Sequence, residues 1–199
     1  PRLPAAFRSP DVLFLANIDP ELQLDVLRQI ERPRLVALDT MNYWISSKKD
    51  ALQKIMAEVD LVVINEAEVR QLTGDVNLVK GARAILGIGP KTIVIKRGEY
   101  GVLMVTRDRV FAVPAYPLES VFDPTGAGDT FAGGFLGYLA SCPSYDDVPM
   151  RRAIIVGSVL ASYNVEAFSL NRLRELDAKD IQRRYRQFRE LTEFGDFEA

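Results

Sequence analysis

Three short runs, Leu35-Val-Ala-Leu-Asp39, Leu61-Val-Val-Ile64 and Lys91-Thr-Ile-Val-Ile-Lys96, are apolar at nearly every position rather than at every second one. A strand without a polar face has both faces covered, the condition of a parallel sheet clad in helices. Between and around them lie segments of helical period. Pro20 to Arg32 turns Leu22, Val26, Leu27 and Ile30 inward, and Lys48 to Val59 does the same with Leu52, Ile55, Met56 and Val59. Glu66 to Leu72 reads as a short helix closed by Thr73-Gly74, and Leu78 to Leu86 as another. Asp11-Val-Leu-Phe-Leu15 adds a strand at the start. Arg97 to Gly101 reads as a turn before two hairpin strands, Val102 to Val105 and Val110 to Val113. Helices follow at Phe131 to Leu139 and Ile154 to Val165. The expectation is α/β: one domain over residues 1–199, a mainly parallel sheet flanked by helices on both faces, with residues 1–10 as an extended Pro/Arg-rich lead-in.

Composition removes several classes of function. With 48% hydrophobic and 26% charged residues, 199 residues suffice to bury one sizeable core. A formal net charge of −2 offers no basic field for a polyanion, so nucleic acid is not the expected partner. There is no histidine, which rules out Ser-His-Asp chemistry, imidazole bases and most zinc sites. The single cysteine, Cys142, cannot form an intrachain disulfide and suits a reducing compartment, so the cytoplasm is expected. No apolar run reaches membrane-spanning length and no signal peptide is visible, so no membrane partner is expected.

Parallel sheets receive ligands at the carboxyl ends of their strands. Asp39, Asn65, Lys96 and the segment Asp123-Pro-Thr-Gly-Ala-Gly-Asp-Thr130 all fall at or just after strand-like sequence. In that segment glycines open a helix, where bare N–H groups attract negative charge. Asp129 is an acid inside this anion-seeking turn. It would repel a stored phosphate, but it suits a base that takes a hydroxyl proton while the amides of Gly126, Ala127 and Gly128 hold an incoming phosphoryl group. The alternative is an acid that merely stabilises its helix N-terminus, worth about 0.5–2 kcal/mol.

Asn65 and Glu68, three residues apart where a strand enters a helix, read in two ways. A carboxylate beside an amide holds Mg2+ through water. The same pair makes a capping box, with Asn65 as N-cap and Glu68 reaching back. Spacing leaves the two open, with Glu66 as a competing carboxylate. Lys96-Arg-Gly-Glu-Tyr-Gly101 is a hairpin turn whose Gly98 and Gly101 expose backbone to phosphates, with Lys96 adding positive charge. After the second apolar strand, Asp39 and Asn42 are candidate substrate contacts, whereas Trp44 reads as packing. Gly157, Ser158, Ala161 and Ser162 permit close helix packing or a flat slot for a purine. Arg183 to Arg189 reads as a solvated basic helix face. No Gly-x4-Gly-Lys-Ser/Thr occurs, and Gly126-Ala-Gly128 meets Phe131 where a dinucleotide fingerprint wants Gly or Ala, so P-loop and Rossmann oxidoreductase readings fall.

With these motifs in order, the chain resembles the ribokinase-like (PfkB-type) carbohydrate kinases from about Asp11 to its C-terminus. The likeness rests on Asn65-Glu-Ala-Glu68, the Lys96 to Gly101 turn and Asp123-Pro-Thr-Gly-Ala-Gly-Asp129. It implies transfer of the ATP γ-phosphoryl group to a hydroxyl of a small substrate, a sugar foremost or a nucleoside. Asp129 would be the base and Gly126 to Gly128 the anion hole. Asn65 and Glu68 would join the Mg2+–phosphate network, Lys96, Gly98 and Gly101 would border ATP, and the helix from Ser158 to Asn164 would border adenine. Some relatives hold a monovalent cation beside the anion hole, which makes Asp123 and Thr125 contributors to a K+ site. The family usually carries an N-terminal part with a Gly-Gly sugar-binding segment and a small β-lid, through which it often forms homodimers. Neither is found here, so the chain looks like the C-terminal catalytic part. A binding or assembly module that kept the fold without catalysis is the reading from another class.

Overall fold

The structure is a computed structural model and describes residues 2–197. Six strands form one mixed sheet in the order β1 (Val12–Leu15), β2 (Leu35–Asp39), β3 (Leu61–Asn65), β4 (Thr92–Lys96), β5 (Val102–Thr106) and β6 (Val110–Val113). The first three pairings are parallel, with Leu13 beside Val36, Val62 beside Ile93 and Asn65 beside Lys96. The links into β5 and β6 are too short for a crossover, so these neighbours run antiparallel. Apolar residues of β2, β3 and β4 are buried on both faces, as their lack of alternation demands.

The described residues form two compact units. The first holds the chain to Arg97 together with Leu103–Ala112, and the second Gly98–Val102 together with the chain from Val113. In the first, β-strand residues Val36, Leu38, Val62, Ile64, Ile93 and Ile95 join one core with side chains of three helices: α3 (Lys49–Met56), α4 (Glu66–Thr73) and α5 (Leu78–Leu86). Two shorter helices accompany them, α1 (Pro20–Leu27) and α2 (Asn42–Ser47). Asp19 caps α1 by accepting from the Glu21 N–H, with Pro20 at its first position. α1 stops at Leu27, short of Arg32, which takes φ 51° just before Pro33. Leu22 is exposed, not inward, and Gln23 is buried in its stead. The Gln23 amide donates to the carbonyls of Leu15 (3.2 Å), Ala16 (2.9 Å) and Asp39 (3.1 Å), tying the ends of β1 and β2 together. α2 carries no apolar stripe and escaped the sequence reading. The lead-in is not fully extended, because Ala5–Phe7 form a 3-10 turn, and Pro1 lies outside the described residues.

The second unit is helical: α6 (Ala127–Ala140), α7 (Asp147–Asn164), α8 (Asn171–Arg174) and α9 (Ala178–Thr192). α6 starts four residues before the expected Phe131, because Gly126 at φ 80° serves as its N-cap. α7 starts at Asp147, and Pro149 sits in its first turn, where no helical N–H is lost. The small residues of α7 serve close packing. A Cβ on Gly157 would stand 2.7 Å from the Phe131 carbonyl oxygen, and one on Gly134 would stand 3.2 Å from the Gly157 Cα. The stretch from Arg183 to Arg189 is not simply solvated: Phe188 is fully buried, and the Arg184 guanidinium lies over the Tyr163 and Tyr116 rings, 3.4 and 4.5 Å from their centroids.

Candidate functional site

The glycine loop of the second unit is built from backbone hydrogen bonds. The N–H groups of Phe122 and Asp123 donate to the Val165 carbonyl at 2.8 and 3.2 Å, joining the segment before the loop to the end of α7. Asp123 accepts the Thr125 N–H on Oδ1 (3.0 Å) and the Ser169 N–H on Oδ2 (3.4 Å). The Thr125 N–H, its hydroxyl and the Ser169 N–H hold the Asp123 carboxyl below its usual range. No side chain caps α6, so its first amides are left for another partner. Among the loop amides, that of Ala127 turns to the Pro124 carbonyl at 3.3 Å.

Asp129 is the third residue of α6 and is exposed. It lines a groove of about 600 Å³ with Asp123, Thr125, Gly126, Thr130 and Asn164, and with Phe122, Phe168, Ser169 and Leu170. Asn164 is 1% exposed. Its amide donates to the Ser169 carbonyl at 2.9 Å, while its Oδ1 is buried without a partner, close to Gly126. A buried acceptor left unpaired costs about 1–3 kcal/mol, so this atom calls for a donor or a cation from outside the chain. Ser158, also in α7, is buried with an unpartnered Oγ. Phe122, Phe168 and Leu170 were not singled out from sequence. The available signal was apolar residues in irregular segments, before α6 for Phe122 and after α7 for Phe168 and Leu170, where a solvated loop is normally polar.

In the first unit, Asp39, Asn65 and Lys96 stand at the carboxyl ends of β2, β3 and β4, with Asn65 and Lys96 in register. Lys96 Nζ is 3.1 Å from Asp39 Oδ2, and Asp39 Oδ1 accepts the Thr40 N–H at 2.8 Å. Asp39 is only 5% exposed, and its carboxylate is engaged in this pair. Asn42 is exposed and exchanges hydrogen bonds with Gln71, fastening α2 to α4. Trp44 is half-buried and donates to Asn17 Oδ1 at 3.0 Å.

The capping box at α4 is present in full, with the Glu68 N–H on Asn65 Oδ1 (2.8 Å) and the Asn65 N–H on Glu68 Oε2 (2.9 Å). It does not consume Glu68 Oε1. The competing Glu66 is committed to Arg70 and Arg97 at 3.5 and 3.7 Å. Burial pushes the Glu68 carboxyl above its usual range, against the lowering effects of the Asn65 N–H and Lys96, and Asp39 adds to the rise. A folded pKa above the unfolded one stabilises the fold below about pH 4.3, and that contribution is lost as pH rises through the folded value. Ionised Glu68 therefore weakens the ligand-free chain near neutral pH. Glu68→Gln, which keeps the acceptor for Asn65, is expected to raise the melting temperature there, with the gain vanishing at about pH 4 in thermal melts without divalent cations. Gly98 and Gly101 have φ of 55° and 86°. A Cβ on Gly101 would fall on the Val113 carbonyl, so the turn itself requires this glycine.

Residues 4–175 match the model of the pfkB family carbohydrate kinases. The chain belongs to the pfkB family. It is 38% identical over 148 residues to a cytidine kinase of Thermococcus kodakarensis, covering 71% of this chain and 52% of that one. A nucleoside kinase of Methanocaldococcus jannaschii is 26% identical over 157 residues, 79% of this chain and 49% of that one. Among solved structures, an aminoimidazole riboside kinase from Salmonella enterica, complexed with aminoimidazole riboside and an ATP analog, superposes with a TM-score of 0.73. Its identity is 21%, with 88% of this chain and 64% of that one covered, so that likeness shows the pfkB fold alone. The chain spans about half the length of the curated pfkB relatives it matches. Among its described residues no helix is long and apolar enough to cross a membrane.

Proposed function

We propose that this chain carries the phosphoryl-transfer part of an ATP-dependent kinase whose acceptor is a hydroxyl of a nucleoside. The observation that carries the reading is Asp129 in the first turn of α6, exposed in a groove whose floor holds the unpaired Asn164 Oδ1. An acid among outward amides suits a reaction in which a proton leaves as negative charge arrives. Asp129 takes the proton of the acceptor hydroxyl. The hydroxyl oxygen bonds to the γ-phosphorus of ATP, and ADP leaves. The amides of Gly126 and Gly128 stabilise charge on the transferring oxygens, with Ala127 contributing less because its N–H is shared with Pro124. Ser158 and Asn164 supply polar contacts on α7, and the exposed Phe122, Phe168 and Leu170 offer apolar surface to a base ring.

Mg2+ fits as a partner of the nucleotide and not of the protein alone. Among the described residues no group of three His, Cys, Asp or Glu could hold a metal. Glu68 is assigned to Mg2+ through water, beside Asn65, since Mg2+ takes few protein ligands and completes its shell with water and phosphate. When bound, Mg2+ neutralises phosphate charge during transfer. Asp123, held ionised, and Thr125 suit a monovalent cation such as K+.

The likeness to a cytidine kinase and a nucleoside kinase favours a nucleoside, while a free sugar remains the second reading because the family model is that of carbohydrate kinases. ADP release, measured in the protein that carries this chain across nucleosides, ribose and fructose, tests both. Turnover with a nucleoside above the sugars is expected. Nucleotide binding with no acceptor phosphorylated would leave the binding-module reading in place instead.

A further inference from the structure

Behind the groove wall, one carboxylate is held by two arginines from two helices. Arg184 of α9 places Nη2 at 2.6 Å from Glu166 Oε1 and Nη1 at 3.1 Å from Ser162 Oγ, and Arg172 of α8 places Nε at 3.3 Å from Glu166 Oε2. The Arg184 side chain is 11% exposed and stacks on Tyr163, so its position is fixed by packing as well as by charge. Glu166 adjoins Val165, whose carbonyl takes the N–H groups of Phe122 and Asp123. Three residues further on, the Ser169 N–H reaches Asp123 Oδ2 and its carbonyl takes the Asn164 amide. Residues 164–170 therefore serve as the brace of the glycine loop, and Glu166 is the point at which α8 and α9 grip that brace.

We propose that Glu166, with Arg184 and Arg172, is a positioning residue for the groove: it acts through residues 164–170 to set the loop that presents Asp123 and Gly126. This deepens the kinase reading and rests on it for its effect on nucleotide. A largely covered, ring-stacked arginine that divides its donors between Glu166 and Ser162 is a costly anchor for a surface turn whose Ser169 takes φ 56°, and the return is a fixed wall. α9 thereby gains a route to the groove although none of its residues lines it.

The test uses Glu166→Gln and Arg184→Met, each at a temperature where circular dichroism shows it folded. Without nucleotide, amide exchange at Phe122 and Ser169 is expected to quicken about tenfold, with the Phe135 amide in mid-α6 unchanged. ATP–Mg binding by calorimetry is expected to weaken about tenfold, and the double variant to be no weaker than the worse single one, because the pair acts as a unit. Unchanged exchange at Ser169, or exchange raised equally at Phe135, overturns the proposal. So does raised exchange with unaltered nucleotide affinity. If the unmutated chain binds no nucleotide, the kinase reading is what fails, and exchange at Phe122 and Ser169 alone then decides whether the grip orders the loop.

Discussion

Asp129→Asn is expected to lower phosphoryl transfer by about 10²–10⁴-fold while the affinity for ATP–Mg stays within about threefold. The substitution keeps the size of the side chain and its place in the first turn of α6, so the amides around it need not move. The helix loses a favourable N-terminal charge, about 0.3–1 kcal/mol, and an exposed position tolerates that loss. In the proposed reaction, binding does not need the carboxylate, which repels a polyphosphate, whereas transfer does, because Asp129 is the group that takes the acceptor proton. Steady-state ADP release gives kcat, and calorimetry gives the affinity. A variant that turns over at the unmutated rate would assign the proton to another group. A variant that loses rate and affinity together would make Asp129 a structural part of the loop.

How far such a site was readable from sequence follows from which interactions are local. β2, β3 and β4 were legible because continuous apolar runs have one sheltered solution, and their ends then put Asp39, Asn65 and Lys96 on one edge of the sheet. The Gly126 loop was legible because left-handed backbone and a helix start are properties of neighbouring residues. Local pattern failed where a distant partner decides. Gln23 is buried because three carbonyls at two strand ends accept its amide, and Leu22 beside it is left outside. Arg184 looked like part of a solvated basic face until its tyrosines and Glu166, 18 residues or more away in sequence, came to it. Phe168 and Leu170 acquire meaning only from the groove they border. The Asn65/Glu68 spacing could not separate a cap from a cation ligand, because the capping box engages only one Glu68 oxygen.

Lys96→Met is expected to destabilise the chain by about 3 kcal/mol, and adding Asp39→Asn to restore most of that loss. Lys96 and Asp39 form a nearly dry ion pair, with side chains 20% and 6% exposed. Removing the lysine strands a carboxylate whose remaining partners include one backbone N–H, from Thr40, and whose backbone is tied down by Gln23, so Asp39 cannot swing into water. It also takes away the Lys96 charge that offsets Asp39 beside the buried Glu68, which sharpens the repulsion between the two carboxylates. Asn at position 39 retains an acceptor for Thr40 and carries no charge to strand, which is why the double variant recovers although both ions are gone. Denaturant midpoints of the four proteins in this cycle measure the coupling directly. The opposite assignment, in which Lys96 reaches ATP phosphates in preference to Asp39, makes a different prediction: Lys96→Met would leave stability within about 0.5 kcal/mol and raise the KM for ATP, and Asp39→Asn would not repair it.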